Sequence, residues 1–201
     1  MNIYIETNFV LELVFQQEQA KSCEQILQFC EIGQARLIIP AYSLAEPHEK
    51  LVRQGKIRKE LQQKLITELG QLRRTASYTE RINSIQDIAN LLIQSIEEEQ
   101  KRFVQYREKF LKNAEIIPMT ADILKEAVTY EKPDSYSLTP QDALVYASII
   151  FHLRQEQPQK ACFLNRNFKD FDIPDIINEL NQFNCRMIAR FDQGWDFIQA
   201  Q

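Results

Sequence analysis

The chain has 201 residues, 44% hydrophobic and 26% charged, with a formal net charge of −4. That length holds one domain with a full core and room for an appendage, and the negative balance argues against an indiscriminate nucleic-acid coat. No apolar run reaches the roughly 20 residues of a membrane helix, and the amino terminus lacks the basic-then-apolar layout of a secretory signal, so a cytoplasmic protein with no membrane partner is expected. The four cysteines, Cys23, Cys30, Cys162 and Cys185, form no C-x-x-C pair, and the histidines are His48 and His152 alone. Neither a zinc site nor Ser-His or Cys-His catalysis is expected from that inventory; the cysteines read as reduced, buried small residues. Carboxylates remain the main chemical resource.

In chain order, Ile3-Tyr4-Ile5 reads as a buried strand ending on Glu6, and helical spacing takes over at 8–16 through Val10, Leu13 and Val14. A second helix is expected at 18–32, a strand at 37–39 and a helix starting near Ser43. Later strands are expected at 116–117, 161–164 and 187–189, with helices at 121–130, 140–154 and 174–181. The alternation predicts an α/β fold, a parallel sheet with helices on both faces.

Residues 56–112 interrupt that rhythm. Ile57, Leu61, Leu65, Leu69 and Leu72 form one stripe; Ile82, Ile85, Ala89, Leu92, Ile96, Phe103, Tyr106 and Phe110 form a second at three-and-four spacing. The pattern predicts a helical hairpin inserted in a single domain, breaking around Thr75-Ala76-Ser77 with Thr79 as cap. The stripes are expected to pack on each other and on the body, with a partner groove as the alternative. Lys132-Pro133-Asp134-Ser135 reads as a surface loop.

Charge is unevenly spread. Between Lys50 and Arg74 lie eight basic residues and two acids, a net +6 that leaves −10 for the remainder. Arg53, Lys56, Arg58, Lys59, Arg73 and Arg74 are candidates for contacting the phosphates of RNA. A solvated helix face explains the same residues.

Four carboxylates stand where a strand ends or the next helix begins: Glu6; Glu46 in "IPAYSLAEPHEKL"; Asp142 in "SLTPQDALVYASII"; and Asp170 in "ACFLNRNFKDF". Strand exits of a parallel sheet share one edge, so acids distant in sequence can converge there. A cluster left unneutralised would repel itself and raise its pKa values, which makes a bound cation the natural reason for building one. Oxygen ligands alone select Mg2+ or Mn2+ over zinc. Each acid also has a plainer explanation. The helix dipole favours Asp142 and Glu46 in first turns, Asp170 can be a loop residue, and Glu6 an edge residue facing water. Thr7 and Asn8 can orient Glu6, Ser43 can cap the helix bearing Glu46, and Asn165 lies at a strand exit.

With these segments in place the sequence resembles a known family. "YIETNFV" looks like the opening D-T-N of PIN-domain nucleases, "SLAEPHEKL" like their second acidic segment, "QDALVYASI" like their D-A helix, and "FLNRNFKDF" like the T-R-N-x-x-D-F segment of VapC-type members. The correspondence covers residues 1–47 and 114–190 in the family's order and leaves the hairpin unexplained. The resemblance implies a Rossmann-like PIN fold and metal-dependent RNA cleavage, with Glu6, Glu46, Asp142 and Asp170 holding Mg2+ or Mn2+. Asn8, Asn165 and Ser43 would support them. It also suggests a homodimer and, for a toxin, an antitoxin partner.

Two positions depart from the family. Glu6 stands where Asp is usual, and magnesium tolerates little error around ligand distances of about 2.0–2.1 Å, so the strand must sit back or a water must intervene. Asn165 stands where Thr or Ser is usual. Two classes of function follow: a metal-dependent endoribonuclease, acting as a toxin or in RNA processing, and a catalytically weakened PIN-like module for binding or assembly. A DNA nuclease is a more distant third, since no duplex-reading element is evident.

Overall fold

Both faces of β1 (Asn2–Ile5) are buried along its whole length, which only a strand inside a sheet covered on two sides can achieve. The structure is a computed structural model describing residues 1–75, 79–132 and 136–200, the side chains of 79–86 and 168–169 excepted. β2 (Arg36–Pro40) pairs with one side of β1 and β4 (Ala161–Leu164) with the other, placing Ile3 between Leu37 and Cys162. β3 (Ala114–Ile117) and β5 (Cys185–Ile188) complete a five-stranded parallel sheet in the order β3-β2-β1-β4-β5. The α/β architecture expected from the alternation is the one found.

Strand periodicity divides the core. Tyr4, Ile38 and Phe163 face a layer built by α5 (Ala121–Tyr130), α6 (Pro140–Glu156) and α8 (Pro174–Gln182). α6 is buried at every residue from 143 to 150, so its apolar residues run round the helix rather than along one stripe. The first helices, α1 (Thr7–Phe15) and α2 (Ala20–Glu31), belong to a second layer with α9 (Phe191–Gln199). There Phe9 packs edge-on against Phe191 at 5.2 Å and Phe29 against Trp195 at 5.8 Å.

α9 has no counterpart among the expected helices, because Gly194 sits in its middle. The glycine is a packing requirement: a Cβ there would lie 2.7 Å from Leu164 Cδ2 of β4. Two smaller shifts occur. β5 starts two residues before the expected 187, and the short α7 (Phe168–Phe171) follows the β4 exit.

α3 (Ala41–Leu72) and α4 (Thr79–Asn113) are the two long helices. The chain divides into two compact units, Met1–Glu46 with Tyr106–Gln201, and Pro47–Gln105. The division falls at Pro47, which lies inside α3 and has no N–H to give the carbonyl one turn earlier. Within the second unit the helices pair antiparallel: Gly55 lies against Ile96, His48 stacks obliquely on Phe103 at 6.2 Å, and Arg58 reaches Glu99 at 2.6 Å and Ser95 at 3.0 Å.

The α4 stripe is inward where its side chains are described, with Ala89, Ile96 and Phe103 buried at seven-residue intervals. The α3 stripe is a correction. Leu51, Gly55, Arg58, Leu65 and Leu69 form the inner seam, while Ile57, Leu61 and Leu72 stay exposed. The small residue at 55, which allows close approach to Ile96, and the Arg58–Glu99 pair turn α3 away from its most apolar line. Ile82, Ile85, the break at 76–77, the Thr79 cap and the loop residues 133–135 lie outside the described residues or side chains. Among the described residues no helix is long and apolar enough to cross a membrane.

Candidate active site

The strand order reverses direction at β1, since β2 and β3 lie on one side of it and β4 and β5 on the other. Such a switch point opens a crevice at the carboxyl edge of an α/β sheet, here flanked by the exits of β1 and β4. Glu6 leaves β1 as the cap of α1, and its Oε2 accepts a hydrogen bond from the Asn8 amide at 2.7 Å. The longer side chain folds back far enough for that bond. Its other oxygen, Oε1, is buried and has no hydrogen-bond partner within contact distance among the described residues. Burial pushes the Glu6 carboxyl up to about 7; the amides of Asn8 and Arg166 oppose the shift and the charge of Glu46 adds to it.

Glu46 is half-buried in the first turns of α3 and accepts a hydrogen bond from the Thr7 hydroxyl. Thr7 therefore serves Glu46 rather than Glu6. Ser43, one turn before Glu46, is fully buried and its hydroxyl has no partner among the described residues, so it does not act as a cap. Asp142 enters from the start of α6, which runs antiparallel to the strands and so begins at the same edge. Thr139 caps this helix: its hydroxyl accepts from the Asp142 amide at 3.3 Å and donates to Asp142 Oδ2 at 2.6 Å. The exit of β4 supplies Asn165, whose Oδ1 takes the Asn167 amide at 2.7 Å, while its Nδ2 is buried with no acceptor among the described residues. Asn167 in turn donates to Asp142 Oδ1 at 3.3 Å, and its carbonyl accepts from the amide of the exposed Asp170.

One hydrogen-bonded chain thus joins the helix start bearing Asp142 to the β4 exit bearing Asn165 and Asp170, and a second joins Glu46 to the segment bearing Glu6. Sequence reasoning missed Thr139 and Asn167, the polar links in this frame. It also missed Arg166, which reaches the buried Glu12 of α1, Gln17 at 3.3 Å and Glu18 at 3.1 Å, tying the β4 exit to the start of the chain. A readable signal existed: Glu12 is a lone acid inside the apolar run "FVLELVF".

The four acids share an edge without closing into a ligand shell. Among the described residues, the one set of three His, Cys, Asp or Glu side chains whose ligand atoms all lie within 4.8 Å of one another is Glu115, His152 and Glu156. That set sits at the opposite, amino-terminal edge, and Arg36 holds both of its carboxylates at 2.6 Å. His152 bridges the Tyr4 hydroxyl at 2.9 Å and Glu115 at 3.0 Å, a structural role for this buried histidine. The four cysteines are free and buried.

Of the candidate RNA contacts, Arg53, Lys56, Lys59, Arg73 and Arg74 are exposed. Arg58 is corrected by the structure, because its guanidinium is turned into the hairpin seam against Glu99.

No curated protein matches the chain. A family model does, described as the PIN domain and matching residues 3–171, a span that contains all four acids and the hairpin. The order of β1, α6 and β4 around the switch point and the match over most of the sequence agree, and the chain belongs to the PIN-domain family.

Proposed function

We propose that the chain is a divalent-metal-dependent endoribonuclease whose cation is held by Glu6, Glu46, Asp142 and Asp170. The family supports nuclease chemistry. The observation that carries the metal is Glu6: a buried carboxylate beside a second acid, one oxygen without a donor, and a proton held up to about pH 7. Desolvation on that scale, at a crevice mouth, is what a bound cation relieves. The donors fit Mg2+ or Mn2+, being oxygens only. The unpaired Ser43 hydroxyl and Asn165 amide lie on the elements that carry Glu46 and Asp170, where they can hold ligands or ordered water.

A bound Mg2+ or Mn2+ supplies charge neutralisation at the scissile phosphate and makes an attacking water more acidic. Asp142, half-buried and oriented by Thr139 and Asn167, would hold the cation, and one of the four acids would take the proton of that water. Arg166, through Glu12 and Glu18, fixes the β4 exit. An acidic edge repels a polyanion, so RNA must be held elsewhere, and Arg53, Lys56, Lys59, Arg73 and Arg74 supply sequence-independent phosphate contacts. In a toxin role, a small antitoxin would occupy the same acidic edge and co-purify from native cells.

A second reading, a PIN-like module without turnover, is favoured by one observation: Glu6 spends an oxygen on capping its own helix. The two separate in an assay of wild type, Asp142→Asn and Glu6→Asp on single-stranded and structured RNA with Mn2+, Mg2+ or chelator. Manganese-dependent cleavage by wild type that disappears in Asp142→Asn supports the nuclease. Cleavage gained only in Glu6→Asp overturns it in favour of the inactive module.

A further inference from the structure

Where β4 and β5 begin, the sheet carries a cavity of about 640 Å³ between α8 and α9, within the usual range for small-molecule sites. A four-residue strand rises about 13 Å, so this cavity at the amino-terminal edge is separate from the four acids at the carboxyl edge. The chain has a net charge of −4, yet the described residues lining the cavity include no Asp or Glu and two cations, Lys160 and Arg186. Both are exposed at its mouth and held against one ring: Lys160 Nζ lies 5.5 Å and the Arg186 guanidinium 5.3 Å from the centre of Phe197. The acids nearest to them in sequence are engaged elsewhere, Glu156 by Arg36 and Asp192 by Arg190. Neither cation has an ion-pair partner among the described residues, and packing on the ring restricts both before any ligand arrives.

Carboxamides supply the other polar side chains of the lining: Gln159, Asn181 and Asn184. Asn184 closes the turn between α8 and β5 at φ 53°, a left-handed conformation that asparagine tolerates, and its amide bonds the Asn181 carbonyl at 3.1 Å. That turn brings both carboxamides to one rim, where each offers a donor and an acceptor. The half-buried Ile177 and Met187 form an apolar wall. β5 adds a backbone donor. It is the last strand of the sheet, and the amides of Ala161 and Asn165 bond the carbonyls of Asn184 and Ile188, so alternation turns the Met187 N–H to the open side.

We infer that this cavity binds a nucleoside 5′-monophosphate, with the phosphate between Lys160 and Arg186, the base against Ile177 and Met187, and the base edge on the carboxamides. A guanidinium fork beside an ammonium matches a dianionic phosphate, and the Met187 N–H adds a donor of the kind that backbone anion sites use. Inorganic phosphate would leave the carboxamides and the apolar wall unused, which is why a heterocycle belongs to the ligand. A smaller cavity of about 300 Å³ shares Gln159 and Lys160 and is lined by Glu156. That carboxylate repels a phosphate and so confines it to the side of Arg186. The same chemistry has two sources, a free nucleotide and the 5′-phosphorylated end of an RNA. The inference does not depend on the nuclease reading.

Titration calorimetry of the full chain in chelator, with the 5′-monophosphates of adenosine, guanosine, cytidine and uridine, tests it. At least one is expected to bind one-to-one with a dissociation constant below about 1 mM, and its parent nucleoside and inorganic phosphate at least about tenfold more weakly. Lys160→Met and Arg186→Met are each expected to raise the constant at least about tenfold, while Lys101→Met in the other unit leaves it unchanged. Methyl-13C methionine gives a readout without mutation. Of the three methionines, Met187 lines the cavity, and the nucleotide is expected to move its signal and leave that of Met119 in place. A 5′-phosphorylated RNA that moves Met187 where its 5′-hydroxyl counterpart does not identifies an RNA end as the source; a response to the mononucleotide alone identifies the free nucleotide. Absence of binding, binding that leaves Met187 unmoved or ignores both substitutions, inorganic phosphate that binds as tightly, or RNA that moves Met187 whatever its end would each overturn the proposal. Should a substituted protein lose its helical circular dichroism, the Met187 signal of the wild type decides alone.

Discussion

Carboxylates gather at both ends of one parallel sheet, and the two gatherings are built oppositely. At the amino-terminal edge Glu115 and Glu156 share Arg36, and Glu115 also meets His152. Burial pushes the Glu115 carboxyl up, but the hydrogen bonds from His152 and Arg36 outweigh it and hold the group below its ordinary value. At the carboxyl edge no cationic side chain among the described residues is paired with Glu6, and burial, with the charge of Glu46 adding to it, takes it to about 7. Ligand spacing alone would choose the first cluster as a metal site. Charge compensation favours the second for the proposed cation, since a cluster already neutralised by protein has little to gain from an ion, and a buried carboxylate whose proton is held up has much.

The largest expected effect is on turnover. Asp142→Asn should lower manganese-dependent RNA cleavage about a thousandfold, near 4 kcal/mol of transition-state stabilisation. Glu156→Gln at the other edge should change it less than about twofold. Equal losses in the two variants would erase the distinction between the ends.

Next comes pH. Glu6 has a folded-state pKa of about 7 against an ordinary 4.5, so between these values the folded chain keeps a proton that the unfolded chain has released. Its contribution is fully present below about pH 4.5 and is lost as pH rises through about 7, a decline of up to about 3 kcal/mol. Urea unfolding of metal-free protein in chelator should show that fall, and Glu6→Gln should remove it. Parallel pH profiles for the two proteins would place the proton elsewhere.

Metal addition reads the same deficit from the other side. Saturating Mn2+ at about a hundred times its dissociation constant should stabilise the wild type by about 2.7 kcal/mol, and the gain should shrink in Glu6→Gln and Asp142→Asn. Because the proton and the ion compete for Glu6, the melting shift should be larger at pH 8 than at pH 6. A shift that survives both substitutions would move the ion away from this edge.

Much of this was legible in the chain itself, for identifiable reasons. Strands and most sheet-covering helices carry short apolar runs or regular spacing, and the four acids are visible because strand exits of a parallel sheet must share an edge. α9 was hidden because Gly194 weakens helix propensity while satisfying a contact with Leu164 that only the fold creates. The α3 seam was misread because hydrophobicity was weighed ahead of size and pairing: Gly55 and Arg58 are neither apolar nor large, yet Ile96 and Glu99 select them. Thr139 was overlooked although it is a local cap, three residues before Asp142, whereas Asn167 and Arg166 escaped because their partners Asp142 and Glu12 lie 25 and 154 positions away. Local spacing cannot display such partners.

The smallest effect returns to the amino-terminal edge. Arg36→Met removes the cation between Glu115 and Glu156 and leaves two carboxylates beside His152. All three charged side chains are partly open to solvent, so screening limits the loss to about 1 kcal/mol in urea unfolding, with RNA cleavage unchanged. The variant then resembles the opposite edge, having ligand atoms within reach and no neutralising partner. If compensation is what separates the two ends, Mn2+ should stabilise Arg36→Met more than wild type, and Glu115→Gln added to it should cancel the extra shift. If Mn2+ treats Arg36→Met and wild type alike, uncompensated charge is insufficient, and the depth at which Glu6 is buried becomes the property that sets its end of the sheet apart.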